Sequence, residues 1–377
     1  MYWQRSYIER NLSLGATSGT KTIDLPKSAL LSQLLIRLTA TNDGTSNRNN
    51  HIHDKISKIE VIVDGSTVVK SLSGLQAQAL AFFNSKRLPA TRIHEGGSQA
   101  QWEEFPLYFG RFPGDLEYGL DTKKVINPQL KITWNTTGAG ASATDLFSTS
   151  TYPVLDVLVE QLLEPEGAVF GGGYIKAHEI TTWAPTANSE EKRVELPVGN
   201  KHKAIYVRCY ATAWEPRQAL DNVYLDLNVG VSQPFKMDEA EWRAWNRELY
   251  GEIELTGVIC TMGGVWNREF AIAYMRAYPG IAQGNYFISS GGGSGCQFSV
   301  MCFDHNAGEK EDVDVFHIAK GELYHQFFAL PFDYPDTRFM LDSSKWSDVD
   351  LMLKAASSGI STILPTFYVV LEEVIAR

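Results

Sequence analysis

With 377 residues the chain is long enough for two cores of ordinary domain size, and 44% hydrophobic, 21% charged and 11% aromatic residues exclude a disordered or coiled-coil protein. A formal net charge of −10 at pH 7 excludes broad docking on a phosphate backbone, which needs a basic face. No apolar run reaches the length that spans a bilayer, and Met1-Tyr2-Trp3-Gln4-Arg5 lacks the apolar core of a secretory signal, so cytoplasmic synthesis is expected. The four cysteines, Cys209, Cys260, Cys296 and Cys302, show no zinc-type pairing and read as free thiols.

Residues 1–20 place Trp3, Tyr7, Ile8, Leu12 and Leu14 among Arg5, Glu9 and Arg10, then pass into Gly15-Ala16-Thr17-Ser18-Gly19. They read as an arm with a short amphipathic turn, suited either to docking on a neighbouring subunit or a membrane surface or to fraying in solvent. Strands are expected at Leu34–Ala40 and Ile56–Val63, separated by a polar loop at Asn42–Asn50. Asp64-Gly65, between Ile62-Val63 and Thr67-Val68-Val69, predicts a tight hairpin because both turn residues accept positive φ. Ser73 and Gln76 have the spacing of a capping box, which predicts a helix to about Phe83 with Asn84 as its left-handed stop.

The chain then repeats itself. Tyr152–Leu163 aligns with Leu364–Ile375, with Pro153 on Pro365, Val157 on Val369 and Glu160 on Glu372. Ile23-Asp24-Leu25-Pro26 recurs as Val194-Glu195-Leu196-Pro197, and Leu35–Thr41 recurs as Tyr206–Thr212. Val223, Leu225, Leu227 and Val229 alternate as a strand, and Asp238-Glu239-Ala240-Glu241 opens a helix on which Trp242, Trp245 and Leu249 share one core-facing side before Gly251. Gly119–Thr122 resembles Met340–Ser343, and Gln129–Trp134 resembles Val349–Leu353. The reading is one β-rich domain built twice: an arm at 1–20, a first domain at 21–167, and a second at 168–377. The second copy holds roughly 54 extra residues within Glu252–Gln326, including strands at Ile253–Cys260 and Phe270–Tyr278 and the loop Ser289–Gly295. Glu164-Pro165-Glu166-Gly167 and Gly171-Gly172-Gly173 read as a short hinge, lacking the setting of a phosphate loop.

Few residues invite chemistry. His51-Ile52-His53, read as a strand, puts two imidazoles on one face and is the weak candidate for a metal; a solvated loop end is the plainer reading. Asp304-His305, Asp312, Asp314 and His317 form an acidic patch in the insertion, read as solvated surface. Asn135-Thr136-Thr137 matches a glycosylation pattern expected to stay unmodified without a secretory signal. No nucleophile elbow or convergent titratable set appears, so no catalytic, cofactor or firm metal residues are assigned.

The order of these features, a Leu-Pro entry at Leu25-Pro26 and Leu196-Pro197, an alternating strand with the Asp64-Gly65 turn, a helix, and Pro-led closing strands at Pro153 and Pro365, resembles the double jelly-roll major capsid proteins of tectivirus-like and corticovirus-like icosahedral viruses. The resemblance covers about Lys21–Arg377. It implies an all-β fold of two tandem eight-stranded antiparallel sandwiches, a homotrimer of nearly hexagonal outline tiling a viral shell, and a tower made by the insertion. It also implies minor capsid or penton partners, and an arm near the inner face touching a neighbouring trimer or, through Trp3, Arg5, Tyr7 and Arg10, an internal membrane. Two other classes fit paired β-sandwiches: a bicupin-type metalloenzyme using His51 and His53, and a carbohydrate-binding adhesion protein.

Overall fold

The structure is a computed structural model that describes residues 2–376 apart from 28, 45–46, 48–49, 94–96, 138–146, 164–171, 212–213, 261–265, 270–271, 280–285, 292–296, 305–313 and 337–338; side chains of 256–271 and 276–317 are also not described. The first half runs β1 (Tyr2–Ser13), β2 (Ser18–Asp24), β3 (Leu30–Thr41), α1 (Ile52–Lys55), β4 (Ile56–Val63), β5 (Thr67–Leu72), α2 (Gly74–Ser85), β6 (Thr91–Arg92), β7 (Ala100–Tyr108), β8 (Leu120–Asp121), β9 (Gln129–Asn135) and β10 (Val154–Leu163). One sheet has the order β1-β10-β3-β7-β6, with β8 on β3, and the facing one β2-β9-β4-β5.

The second half repeats this frame as β11 (Tyr174–Trp183), β12 (Glu191–Glu195), β13 (Lys201–Tyr210), β14 (Leu220–Leu227), β15 (Ser232–Asp238) and α3 (Glu239–Tyr250). After the inserted strands come β22 (Phe327–Pro331), β23 (Leu341–Asp342), β24 (Val349–Ala355), α4 (Ile360–Ile363) and β25 (Thr366–Ile375). Its sheets are β11-β25-β13-β22, with β23 on β13, and β12-β24-β14-β15. Between α3 and β22 lie β16 (Ile253–Cys260), β17 (Trp266–Glu269), β18 (Ile272–Pro279), β19 (Tyr286–Gly291), β20 (Gln297–Asp304) and β21 (Asp314–Tyr324), in two three-stranded sheets ordered β16-β21-β18 and β17-β20-β19.

The internal repeat holds to the residue in the registers. Val157 pairs with Ile36 on β3, and its counterpart Val369 pairs with Val207 on β13. The β9 equivalence is shifted by one residue from the expected match: Gln129 faces Asp24, and Asp350 rather than Val349 faces the equivalent Glu195. The alternation on β10 follows from a strand with one buried face, since Leu155, Val157 and Val159 are buried while Asp156, Leu158 and Glu160 are only partly so.

Local chemistry explains the punctuation. Asp64 (φ 54°) and Gly65 (φ 79°) take the left-handed turn between β4 and β5. Ser73 and Gln76 cap α2 reciprocally, and Asp238 and Glu241 do the same for α3. The stop of α2 is Lys86 (φ 56°) rather than Asn84, which stays helical because its side chain is bonded to the second half. Residues 2–13 are not an amphipathic turn. They form a twelve-residue edge strand paired with β10 from Tyr2↔Leu163 to Ser13↔Val154, the position that β11 occupies against β25.

The halves share one wall. Ala204 and Tyr206 of β13 pack into the first half's core while Ile205 and Val207 pack into the second's, and Phe327 against Phe328 and Val370 against Val369 divide in the same way. The β25-β13-β22 part of this sheet is therefore buried on both faces, which is why stretches such as Phe367–Leu371 and Phe327–Leu330 read as continuous apolar runs, whereas β11 stays partly exposed. Helix α2 is buried from Gly74 to Phe83, wedged between its own sandwich and this wall, whereas α3 buries only Glu239, Trp242, Asn246 and Leu249.

Candidate functional site

The chemistry of the described residues concentrates at this junction. Strand β5 runs parallel to β11, Lys70 opposite Ala177 and Ser71 opposite His178, joining the sheets of the two halves into one of nine strands. Gly173, at the entry to β11, has φ 100°, and a Cβ there would stand 1.9 Å from the Ile375 carbonyl oxygen. No other residue fits this position without moving backbone. Of the expected hinge, Gly172 and Gly173 pack closely against neighbouring backbone; Glu164–Gly167 and Gly171 lie outside the described residues.

Two polar clusters cross the junction. In the first, His53 Nδ1 lies 2.8 Å from Glu103 Oε2, which also accepts from Gln78 Nε2 at 2.9 Å, while Glu103 Oε1 accepts from the Ile52 amide at 3.0 Å. Gln78 Nε2 also donates to the Glu104 carbonyl, so Gln78 Oε1 must accept, and His325 Nε2, 2.8 Å away, carries the proton. Burial alone would lower the His53 pKa, but the charges of Glu103 and Asp54 raise it to about 9. Burial would raise Glu103, yet His53 holds it at about 2. His325 is pushed well below the ordinary histidine value by burial, then by His53, Arg208 and His51, so it is neutral beside a charged neighbour.

In the second cluster, Glu372 of β25 accepts from Lys203 Nζ at 2.8 Å, from the Tyr206 hydroxyl at 2.9 Å, and from Asn84 Nδ2 of α2 at 2.9 Å. Lys203 Nζ also donates to Asn84 Oδ1, and Asp333 stands 3.9 Å from it. Lys203 and Glu372 are buried, so each charge depends on the other for compensation. Lys70, also buried, is lowered to about 8 by burial, against the attraction of Glu372. Around both clusters Phe82 and Phe83 of α2 pack on Tyr324, Tyr206 and Tyr250 of the second half.

The expected metal pair is therefore arranged otherwise. His51 precedes α1 and His53 lies within it, so the two are not on a strand; their rings stack in parallel at 5.1 Å, and His53 is tied to Glu103. Among the described residues no group of three or more His, Cys, Asp or Glu could hold a metal ion. His305 and Asp312 lie outside the described residues, as do the side chains of Asp304, Asp314 and His317. Cys209 is a buried free thiol; the side chains of Cys260, Cys296 and Cys302 are likewise not described. The sequence assigned no chemical role to Lys70, Gln78, Lys203 or Glu372, and placed Asn84 only as a helix stop. The available signal was ionisable residues set inside apolar stretches, as in His202-Lys203-Ala204-Ile205 and Val370-Leu371-Glu372-Glu373.

Two antiparallel sandwiches in tandem, each closed by its own last strand and each carrying a capped helix at the same place in its strand order, define a double jelly roll. No known family profile matches the sequence, and no curated protein matches it. Solved structures do. The chain is similar to the major capsid protein of Sulfolobus turreted icosahedral virus, at 12% identity over 99% of this chain and 97% of that one, with a TM-score of 0.61. It is also similar to the major capsid protein P2 of bacteriophage PM2 (12% identity, 99% of both chains, TM-score 0.51) and to the capsid of the virus PBCV-1 (9% identity, 98% and 92%, TM-score 0.56). At these identities the likeness is one of fold.

Proposed function

We propose that this chain is a structural major capsid protein whose homotrimer forms a nearly hexagonal capsomer in an icosahedral shell. Its work is done by surfaces rather than by catalysis. The observation carrying this reading is that the junction within the chain leaves its own complement unused at both ends. In the first half, β5 adds in parallel to β11 and α2 is covered by the wall beyond it. In the second half, the equivalent strand β15 is a sheet edge and the equivalent helix α3 keeps an exposed polar face. At the other end, β1, the equivalent of β11, is also an edge. Exposed edges favour pairing. Placing β15 and α3 of one chain against β1 of the next repeats the intrachain junction between chains, and a head-to-tail contact that closes after six sandwiches gives three chains.

On this reading the jelly rolls divide near 167, segment 1–20 feeds the first sheet as an intersubunit strand, and the strands within 252–326 form a tower. The registers place the β12–β13, β14–β15 and β23–β24 turns at the end opposite the insertion, together with the start of β1 and the β4–β5 turn. Most exposed large apolar side chains gather there, among them Tyr2, Trp3, Ile126, Val198, Val229 and Phe339. We assign that end, with Trp3 and Tyr2 foremost, to an internal membrane, and Arg5, Tyr7 and Arg10 to the subunit contact beside it. The assembly would be made in the host cytoplasm, with penton or minor proteins completing the shell.

Electron microscopy of the purified protein tests this. Threefold particles with a six-lobed base are expected, and isolated two-lobed monomers or twofold dimers overturn it. Flotation with anionic lipid vesicles tests the end opposite the insertion: Trp3→Ser combined with Tyr2→Ser should weaken binding, and unchanged flotation removes the membrane role.

A further inference from the structure

The cluster at Glu372 contains the parts of a transamidation. We propose that Lys203 and Asn84 condense into an isopeptide bond, with Glu372 relaying protons, so that the two halves become covalently joined through their side chains. One carboxylate touches both reacting groups: Oε2 accepts from Lys203 Nζ at 2.8 Å and Oε1 accepts from Asn84 Nδ2 at 2.9 Å. Lys203 Nζ is itself in hydrogen-bond contact with Asn84 Oδ1, which places the nucleophile beside the carbonyl it would attack. The Tyr206 hydroxyl lies 2.9 Å from Glu372 Oε2 and 3.4 Å from Asn84 Oδ1, a donor beside the oxygen that gains charge.

The reaction needs no oxidant or cofactor. Glu372 takes one proton from the Lys203 ammonium, and the freed lone pair forms the Nζ–Cγ bond with Asn84, moving charge onto Oδ1. A second proton passes from Nζ to Nδ2; the carbonyl re-forms, the Cγ–Nδ2 bond breaks, and ammonia leaves with the proton held by Glu372. The products are a secondary amide, ammonium and the regenerated carboxylate. The ion pair is the resting state, since Glu372 and Asp333 favour the charged Lys203 against its burial, so the step is slow and speeds up as pH rises. Lys70 then has a purpose. When Lys203 becomes a neutral amide, buried Glu372 keeps a cation nearby.

The test is the intact mass of the full chain, held folded at mildly alkaline pH, followed by tandem mass spectrometry of its peptides. The expected result is a species lighter by one ammonia, with the peptide bearing Asn84 joined to the one bearing Lys203. Lys203→Arg keeps the charge but lacks a competent nucleophile, and Glu372→Gln lacks the relay; both should retain full mass. Asn84→Asp should lose water instead of ammonia. Wild-type protein that keeps its full mass while folded overturns the proposal, as does an ammonia loss that maps to any other asparagine.

Discussion

Replacing Glu103 by Gln probes the first cluster quantitatively. In the wild type one carboxylate oxygen serves both His53 Nδ1 and Gln78 Nε2, and the other serves the Ile52 amide. A glutamine amide has a single acceptor oxygen, so at least one of these donors is left facing a donor in a buried site. His53 is raised from 6.5 to about 9, and that shift corresponds to about 3 kcal/mol of interaction favouring the charged form. The depression of Glu103 to about 2 is the same interaction seen from its partner and is not added. For a raised folded pKa the stabilisation is complete below the unfolded value of about 6.5 and is lost as pH rises through about 9. Urea denaturation should therefore show Glu103→Gln destabilised by about 3 kcal/mol at pH 6, with the gap closing toward about 1 kcal/mol at pH 9.5, where His53 is mostly neutral and the Glu103 carboxylate keeps only its hydrogen bonds. Lys70, lowered to about 8, contributes a slope of opposite sign at alkaline pH, but equally to both proteins, so it cancels in the difference. A gap that does not change with pH would refute the assignment of His53 as the charged partner.

Gly173→Ala should cost more than about 3 kcal/mol, because the added methyl meets the Ile375 carbonyl at the start of the shared wall; soluble yield and thermal melting check it. Trp242→Phe should cost about 1 kcal/mol in urea denaturation, since the Nε1 bond to the Ala329 carbonyl is lost but Asn246 still donates to that oxygen. Val229→Gly should stabilise by about 1 kcal/mol, because this exposed, β-branched residue is held at φ 52°, and a raised melting temperature is the readout. Deleting residues 2–13 should leave the β10 edge bare and drive aggregation, seen as loss of the soluble peak in size-exclusion chromatography; a soluble, well-folded product would show that β1 is dispensable to the sheet.

How much of this was legible depends on whether the signal was local or relational. The turn at Asp64-Gly65, the box at Ser73 and the helix start at Asp238 are local chemistry, and the sequence alone placed them. The repeat is a comparison of the chain with itself, and it fixed which strands correspond, although one β9 register needed the structure. What escaped was anything set by the meeting of the two copies. Residues 2–13 mix apolar, aromatic and charged side chains without clean alternation, because none of them is fully buried and a strand with no buried face is not held to a period of two. Asn84 looked like a helix stop because asparagine tolerates left-handed backbone, and only the proximity of Lys203 and Glu372 reveals its other use. His51-Ile52-His53 suggested a strand pair, and tertiary packing made it the start of a helical turn with His53 buried against Glu103.

The divergence of the copies also marks where their surroundings differ. Glu160 and Glu372 occupy the same place in the repeat, on strands whose registers match residue for residue. Glu160 lies partly exposed opposite Arg5 on β1, while Glu372 is buried and gathers Lys203, Tyr206 and Asn84. The difference is not in the strand but in what covers it: α2 of the preceding copy lies over Glu372, and among the described residues no helical side chain is hydrogen-bonded to Glu160 as Asn84 is to Glu372. On the proposed assembly the uncovered face is the one offered to a neighbouring chain, and its polar character would suit subunits that stay soluble before they assemble. The covered face is under no such constraint and can hold the buried polar network of Glu372, Lys203 and Asn84 at the junction inside the chain.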